Sequence, residues 1–363
     1  MGADGALSAP DPASGHLREA RMIVRPTTPS PNPRPRIAEA RPHHALTGRR
    51  VLVTGARGFI GSRLVRSLLD AGADVHALIR PEDQRPVPSV AVARRPAHRV
   101  TWHRCDLVDV DAVRSVFRDV APEVIFHLAS RVQGHRDVAL ALPMLEDNTR
   151  AAVNIMAAAS DVGVSRLVLA GSVEEPHVAD EAPCSPYAAA KAATTSYARM
   201  FADQWDLPVT VLRLAMVYGP GQTDERKLVP HVATSLLRRR APSLASGSRP
   251  IDWVYIDDVC DAFLTAASHP QAPGLVADIG SGTSTTIADT VRLLAKVARY
   301  DGDLGFGRLE DRRNDVARIA DLTHATGTLG WQPRTPLPVG LARTLEWFRA
   351  REARAQLEME AVS

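Results

Sequence analysis

The sequence lacks the features that mark several classes of protein. Its three cysteines, Cys105, Cys184 and Cys260, form no C-x-x-C pair, which argues against a disulfide framework and against structural zinc. No apolar run approaches the roughly 18 residues of a membrane-spanning helix. The net charge of +3 over 363 residues indicates neither a nucleic-acid footprint nor a membrane-surface patch. We therefore expect a cytoplasmic protein with no metal site.

Lysine is also scarce. The chain has 44 basic residues, but lysine occurs only at positions 191, 227 and 296. Arginine offers a planar fork of donors, whereas lysine offers a compact point charge. A lysine at a candidate site in this arginine-rich chain therefore indicates a role that an arginine could not fill.

Composition divides the chain into four parts. Residues 1–47 hold eight of the 27 prolines and show no apolar periodicity, so we predict a disordered extension there. Residues 48–219 are predicted to form a dinucleotide-binding domain, and residues 220–352 mainly a substrate-binding region. Residues 353–363 are interpreted as a tail.

Apolar strands alternate with amphipathic helices from residue 50 onward. The predicted strands are 51–54, 75–79, 100–103, 124–128, 166–170 and 209–214, with short ones near 251–256 and 275–279. The predicted helices are 62–71, 109–119, 144–162 and 186–205. This alternation predicts an α/β fold with a doubly wound parallel (Rossmann) sheet and a smaller C-terminal substrate-binding region.

A glycine-spaced turn follows the first strand, with Gly55, Gly58 and Gly61 in the spacing G-x-x-G-x-x-G. The first glycine suits a tight turn, the second lets a pyrophosphate approach the main chain, and the third lets the helix pack closely on the strand. The helix N-terminus then faces the phosphates. The stretch, with its intervening residues Arg57, Phe59 and Ile60, therefore predicts a dinucleotide site.

The end of the second predicted strand bears on the choice of cofactor. A domain selective for NAD usually carries an acidic residue there, whereas this chain has Arg80. An arginine can pair with a 2′-phosphate, so NADP(H) is favoured over NAD, and Arg57 adds a second charge. The alternative is that Arg80 is a solvated loop residue and that Glu82 or Asp83 reaches a ribose hydroxyl.

Asp106 and Leu107 follow the third predicted strand. The carboxylate there can accept a hydrogen bond from the adenine amine of a dinucleotide. The alternative is a cap for the helix that starts near Asp109.

Tyr187 and Lys191 lie one helical turn apart, so they share a helix face. We expect the ammonium to lower the pKa of the phenol and make it an acid or base near neutral pH. Ser172 follows the fifth predicted strand, where its hydroxyl can bond a substrate oxygen. The alternatives are a solvated helix pair and a turn serine that satisfies its own backbone.

The chain resembles the extended short-chain dehydrogenases/reductases, the NAD(P)-dependent epimerase/dehydratase group that acts on nucleotide sugars. The resemblance runs from about residue 50 to residue 351. It is carried by the glycine turn, His127-Leu128-Ala129, Asn148, Ser172, Tyr187-x-x-x-Lys191, Val217-Tyr218-Gly219-Pro220-Gly221, Asp252-Trp253-Val254-Tyr255-Ile256-Asp257-Asp258 and Leu329-Gly330-Trp331-x-Pro333.

The resemblance implies roles for these residues. Tyr187 would be the catalytic acid/base, Lys191 would hold the nicotinamide ribose, and Ser172 would orient the reacting oxygen. Ala129 would lie along the cofactor. Two arginines, Arg312 and the weaker candidate Arg249, would bind the nucleotide diphosphate of the substrate.

The resemblance also bears on the reaction. Glu174 matches the basic glutamate of the family's dehydratases, but Val173 stands where hexose 4,6-dehydratases carry a polar residue, and a valine can donate no proton. Together with Arg80, this favours an NADPH-dependent reductase of a keto sugar nucleotide. The alternatives are a nucleotide-sugar 4-epimerase or dehydratase with retained NAD and a non-catalytic NADP-sensing protein. A homodimer is expected from the resemblance alone.

Overall fold

A computed structural model of the chain describes residues 45–86, 100–133, 136–178, 180–311 and 317–362. Within these ranges the strands are β1 Arg50–Thr54, β2 Asp74–Ile79, β3 Thr101–Arg104, β4 Val124–His127, β5 Arg166–Ser172, β6 Val209–Leu214, β7 Met216–Tyr218, β8 Pro250–Ile251, β9 Trp253–Tyr255, β10 Val276–Ile279 and β11 Thr285–Thr286. The helices are α1 Phe59–Asp70, α2 Val110–Val120, α3 Ala141–Met144, α4 Ala151–Val162, α5 Pro186–Trp205, α6 Leu228–Leu237, α7 Ile256–Ser268, α8 Ile287–Ala298, α9 Thr323–Gly327 and α10 Leu337–Val362.

The central sheet has the predicted doubly wound form. Over the described residues, seven strands pair in the order β10-β6-β5-β4-β1-β2-β3, and every neighbouring pair is parallel. The order reverses between β4 and β1, and ligands of such sheets bind at the carboxyl ends of the strands beside this switch point.

Both faces of the sheet are buried, as a parallel sheet requires. Successive residues of a strand point to opposite faces. Val51 and Val53 therefore join one apolar cluster with α1 and α7, while Leu52 joins a second cluster with α2, α4 and α5.

Some boundaries differ from the prediction. Helix α1 begins at Phe59 rather than at residue 62, because Gly58 already occupies its N-cap. Helical structure before α4 begins with a 3₁₀ turn, Val138–Leu140, and includes a π-helical stretch, Leu145–Arg150. A π-helical stretch cannot be seen in a periodicity of 3.6 residues.

The two chain ends also refine the predicted parts. Leu46 is buried in the core, 1% exposed, and the Thr47 hydroxyl donates to Ala71 O. The end of the predicted extension thus belongs to the folded part, while residues 1–44 lie outside the described residues. Helix α10 continues into the predicted tail as far as Val362.

The C-terminal region is built into the sheet. Its strand β10 pairs with β6, and β7 pairs with β9 beside the sheet. Buried Asp252 accepts hydrogen bonds from the backbone of Ser281, Gly282 and Ala320. This carboxylate thereby ties the segments that follow β10 to the edge of β9. Among the described helices, none has both the length and the apolarity that a membrane span requires.

Candidate active site

The glycine turn fits closely between two neighbouring strands. Gly55 has φ +67°, and a Cβ placed on it would lie 2.7 Å from Ala129 N, at the end of β4. A Cβ on Gly61 would overlap Gly55 O. Both glycines are therefore required by backbone contact, and Gly55 lets the turn lie against Ala129. The role of Ala129 along the cofactor stays a prediction.

The first turn of α1 is suited to an anion. Its N-cap is Gly58, which provides no capping side chain, and no acidic residue lies in the first turn. The helix therefore presents backbone N–H groups and the positive end of its dipole with no carboxylate to neutralise them. Phe59 and Ile60 pack against the core and hold this turn in place. The arrangement fits the pyrophosphate of a dinucleotide.

Thr54 is a site residue that the sequence analysis missed. Its fully buried hydroxyl accepts from Leu128 N at 3.2 Å and from Ala129 N at 3.1 Å, and it lies 2.8 Å from His127 Nδ1. Because the oxygen already accepts twice, it donates its proton to the imidazole. Burial and the nearby Lys191 lower the pKa of His127 to about 3, so the ring is neutral. The sequence signal for Thr54 was a single hydroxyl side chain at the end of an otherwise apolar strand.

Asn148 holds the loop that follows β4. It lies in the π-helical stretch, and its Oδ1 accepts from Arg131 N at 2.7 Å while its Nδ2 donates to Arg131 O at 3.1 Å. The π-helical turn thus places the side-chain amide of Asn148 against the backbone of Arg131. The loop that carries Ala129 is fixed by this pair.

The loop after β2 contains paired charges. Arg57 is largely buried and forms an ion pair with Asp83 at 2.8 Å, and Asp83 also pairs with Arg85 at 2.6 Å. These arginines hold the pKa of Asp83 well below its usual range. Arg80 is more than half exposed and lies 3.4 Å from Asp147. Arg57 is therefore already paired with Asp83, whereas Arg80 is the more accessible of the two arginines to a ligand.

Asp106 is not the helix cap that the sequence analysis gave as the alternative. Asp109 caps α2 by accepting from Asp111 N and Ala112 N, while Asp106 is exposed and accepts from Val108 N at 3.0 Å. Leu107 O accepts from Asn154 Nδ2. The adenine role of Asp106 and Leu107 remains a prediction.

Helix α5 brings the predicted catalytic residues to the end of β5. Ser185 caps the helix by accepting from Ala188 N, and Pro186 occupies its first turn. Lys191 is buried, and its Nζ donates to Ala170 O at 2.7 Å and lies 5.9 Å from the centre of the Tyr187 ring. The Ser172 side chain is near enough to the phenol of Tyr187 to lower its pKa. The structure thus brings the three residues together at this end of the sheet.

The predicted direction of the phenol's pKa is wrong for this arrangement. Burial of the phenol and the charge of Glu174 raise the pKa of Tyr187 well above its usual range, and the neighbouring Ser172 side chain offsets this only in part. The pKa of Lys191 is lowered to about 8 by burial, against the opposing charge of Glu175. These surroundings therefore favour the protonated phenol over a tyrosinate.

The turn after β5 places two glutamates differently. Glu174 is partly exposed, and its backbone N–H donates to Ser172 Oγ at 3.2 Å. Glu175 is 2% exposed and accepts from Ser172 N and from the Thr195 hydroxyl. Glu174 was the only glutamate of this turn among the predicted site residues, and nothing in the local sequence marked Glu175.

Comparison with known proteins identifies the family. The model of the NAD dependent epimerase/dehydratase family matches residues 51–280. A UDP-glucose 4-epimerase of Mycolicibacterium smegmatis is 33% identical over 316 residues, which are 83% of this chain and 98% of that protein. The chain belongs to the NAD dependent epimerase/dehydratase family. It is therefore an enzyme of the extended short-chain dehydrogenase/reductase type.

Other relatives in this family differ in reaction. A dTDP-glucose 4,6-dehydratase of Streptomyces antibioticus is 32% identical over 319 residues, covering 84% of this chain and 93% of that protein. The crystal structure of a UDP-glucose 4-epimerase with UDP-glucose from Thermotoga maritima superposes with a TM-score of 0.73 at 28% identity, covering 83% of this chain and 99% of that one. Family membership thus leaves the reaction to be argued from the site.

Of the two arginines predicted to bind the substrate's diphosphate, the structure describes only one. Arg312 lies outside the described residues, so its role stays a prediction. Arg249 lies just before β8, where its carbonyl accepts from Ile287 N. A third arginine, Arg318, pairs with Glu181 of the loop between β5 and α5.

Among the described residues, no group of three or more His, Cys, Asp or Glu side chains is placed to hold a metal ion.

The anion site at α1 generates a first prediction. Gly58→Ala should leave the fold intact, since the only close atom to the new Cβ is Gly55 O at 3.1 Å. It should weaken binding of the nicotinamide dinucleotide at least about tenfold, or about 1.4 kcal/mol, because the methyl group occupies the path of the pyrophosphate. Fluorescence titration with the reduced dinucleotides NADH and NADPH measures this. Gly327→Ala, a helical glycine with open space around it, is the control, and equal affinity in both variants would contradict the assignment.

Proposed function

We propose that the protein is an NADPH-dependent reductase of a keto group on a nucleotide-linked sugar. The substrate class we favour is a nucleoside-diphosphate 4-keto-6-deoxyhexose, which places the enzyme in deoxysugar biosynthesis as a 4-ketoreductase. The observation that carries the proposal is the placement of Tyr187 beside Lys191 on one face of α5, at the end of β5 that carries Ser172. Reduction of a ketone requires a proton donor at this place.

The chain's own residues supply all but the hydride. A nicotinamide dinucleotide held by the glycine turn and Lys191 would supply the hydride for the keto carbon. Tyr187 donates its proton to the keto oxygen, so that the C=O double bond becomes a C–O single bond with one new C–H and one new O–H bond. The Ser172 hydroxyl orients the oxygen, and Lys191 holds the ribose and stabilises the phenolate left behind.

Val173 favours reduction over dehydration. It is 6% exposed within the apolar core, and its N–H donates to Leu214 O. The residue after Ser172 therefore faces the core and provides no acid for a departing hydroxyl. Glu174 remains as a base candidate, but it has no acid partner at the neighbouring position.

The second candidate is a nucleotide-sugar 4-epimerase with retained NAD. It is supported by the relative named a UDP-glucose 4-epimerase, which the chain covers almost completely. Spectra of the purified protein separate the two reactions. Stoichiometric bound NAD, with no oxidation of added NADPH in the presence of keto sugar nucleotides, would favour the epimerase.

Tyr187→Phe should lower kcat for NADPH oxidation by roughly a hundredfold to ten-thousandfold, the usual contribution of a general acid. NADPH affinity should change less than about twofold, since phenylalanine keeps the ring that packs beside Lys191. The assay is a screen of keto sugar nucleotides for NADPH oxidation. Tyr197→Phe, an exposed tyrosine of the same helix, is the matched control. Unchanged turnover by the Tyr187 variant would refute the role of Tyr187 as the acid, whereas a cellular phenotype unchanged by Tyr187→Phe would favour the non-catalytic NADP-sensing alternative.

We propose NADP(H) rather than NAD as the cofactor, with Arg80 as the partner of the 2′-phosphate. Arg80→Ala should raise the Kd for NADPH at least about tenfold, the loss of one charged hydrogen bond, and leave the Kd for NADH within about twofold. Arg66→Ala, which removes an exposed arginine of α1, controls for net charge. An equal loss for both nucleotides would refute the role of Arg80.

We further propose a homodimer. Three apolar side chains near α3 are exposed, Val138 at 86%, Leu142 at 72% and Leu145 at 48%, and such a patch is expected to associate. Light scattering at micromolar concentration should give twice the chain mass, and Leu142→Glu should give a monomer. Leu309→Glu, at another exposed leucine, should remain dimeric. A wild-type monomer would overturn the proposal.

A further inference from the structure

Glu175 is a buried carboxylate that the proposed mechanism does not use. It lies three residues after Ser172, at the end of β5, and is 2% exposed. Its Oε1 accepts from Ser172 N at 2.8 Å, and its Oε2 accepts from the Thr195 hydroxyl at 2.7 Å. A carboxylate this deeply buried costs free energy unless its environment satisfies it. A role for this carboxylate would explain why the fold bears the cost of burying it.

The two hydrogen bonds join the two elements of the site. Thr195 lies one helical turn beyond Lys191, which itself lies one turn beyond Tyr187, so the three share one face of α5. Ser172 is the last residue of β5. One side chain thus connects the backbone that carries the orienting hydroxyl to the helix face that carries the acid and the cation.

The chain makes room for this carboxylate. A Cβ on Gly171 would lie 2.8 Å from Glu175 Oε1, 2.9 Å from Val211 Cγ1 and 3.1 Å from Arg213 Cγ. The backbone of Gly171 is extended within β5, so conformation does not demand a glycine there. The missing side chain is explained by the space that the carboxylate occupies.

The charges around Glu175 come from every element packed on it. Helix α5 contributes Tyr187 and Lys191, and β6 contributes Arg213, which is paired with Asp278 of β10 at 2.6 Å. Its own loop contributes Glu174. Burial is the largest effect and raises the pKa of Glu175 above its usual value, and the bonds from Thr195 and Ser172 and the charges of Arg213 and Lys191 offset it only in part. The two hydrogen bonds and the two cations are the groups that oppose protonation of the buried carboxyl group.

A negative charge at this position acts on both catalytic groups in one direction. It disfavours the phenolate of Tyr187, and it favours the ammonium of Lys191. Loss of the charge lowers both pKa values. His127 does not confuse this effect, because its pKa of about 3 keeps it neutral throughout the working range.

We propose that Glu175 is a positioning residue whose buried carboxylate joins the Ser172 end of β5 to the face of α5 that carries Tyr187 and Lys191. Its charge favours the ammonium of Lys191, whichever reaction the enzyme catalyses. The effect on turnover rests on the proposed reductase reaction.

The test uses Glu175→Gln. Glutamine has the same shape, can accept from Ser172 N, and can donate to the Thr195 oxygen, so the fold should be retained. In the profile of kcat against pH, the alkaline limb should move to lower pH by about one unit. The KM for the sugar should change less than about threefold. Glu175→Asp, which keeps the charge, should restore most of the wild-type profile.

A second measurement does not depend on turnover. The chain has lysine only at positions 191, 227 and 296, so protein labelled with carbon-13 lysine gives few Cε signals, and Lys191→Arg identifies the one of interest. Its titration midpoint should fall by about one pH unit in Glu175→Gln. The midpoints of Lys227 and Lys296 should not move.

The outcomes separate the two proposals. Should wild-type protein reduce no keto sugar nucleotide, the proposed function fails, and the lysine titration still decides the role of Glu175. An unmoved Lys191 midpoint together with an unmoved alkaline limb would overturn the inference and leave a purely structural hydrogen bond. Should Glu175→Gln not fold, Gly171→Ala carries the test, since its methyl group displaces the carboxylate, and it should shift both readouts in the same direction.

Discussion

The contact between α5 and the end of β5 is the constraint on which the site depends. Lys191 reaches across it to donate to Ala170 O at 2.7 Å, and the buried alanines of the helix, Ala188 and Ala190, allow this close approach. A helix advances 100° per residue. A rotation of α5 by one residue would therefore remove Tyr187, Lys191 and Thr195 from the strand together, and no side chain adjustment would compensate.

The cofactor side depends on a similar closeness of backbones. Gly55 and Gly61 leave no space for a Cβ, so β1, its turn and α1 form one rigid unit against the end of β4. Thr54 and Asn148 then fix the β4 loop by bonding its backbone amides. The two halves of the site adjoin because β4 lies between β1 and β5. The anion site and the proton donor are thus held by neighbouring strands of a single sheet.

Much of this was predictable from the sequence because it depends on local pattern. The strands β1, β5 and β6 begin within one residue of their predicted starts, since apolar runs bounded by turn residues mark them. The pairing of Tyr187 with Lys191 follows from helical spacing. By contrast, the π-helical stretch at Leu145–Arg150 and the burial of Glu175 depend on contacts with distant residues. Neither feature can therefore be predicted from a local periodicity in the sequence.

The error in the predicted pKa of Tyr187 has the same origin, and it bears on the reaction. Spacing shows the cation one turn away, but it does not show the burial or the carboxylates that the fold places beside the phenol. An enzyme that begins by oxidising a sugar hydroxyl needs a phenolate as its base, and carboxylates beside the phenol oppose that state. An enzyme that reduces a ketone starts from the protonated phenol, which these surroundings favour, but they also make the phenol a weaker acid. The ammonium of Lys191, 5.9 Å from the centre of the phenol ring, is then the group that stabilises the phenolate formed when the proton leaves.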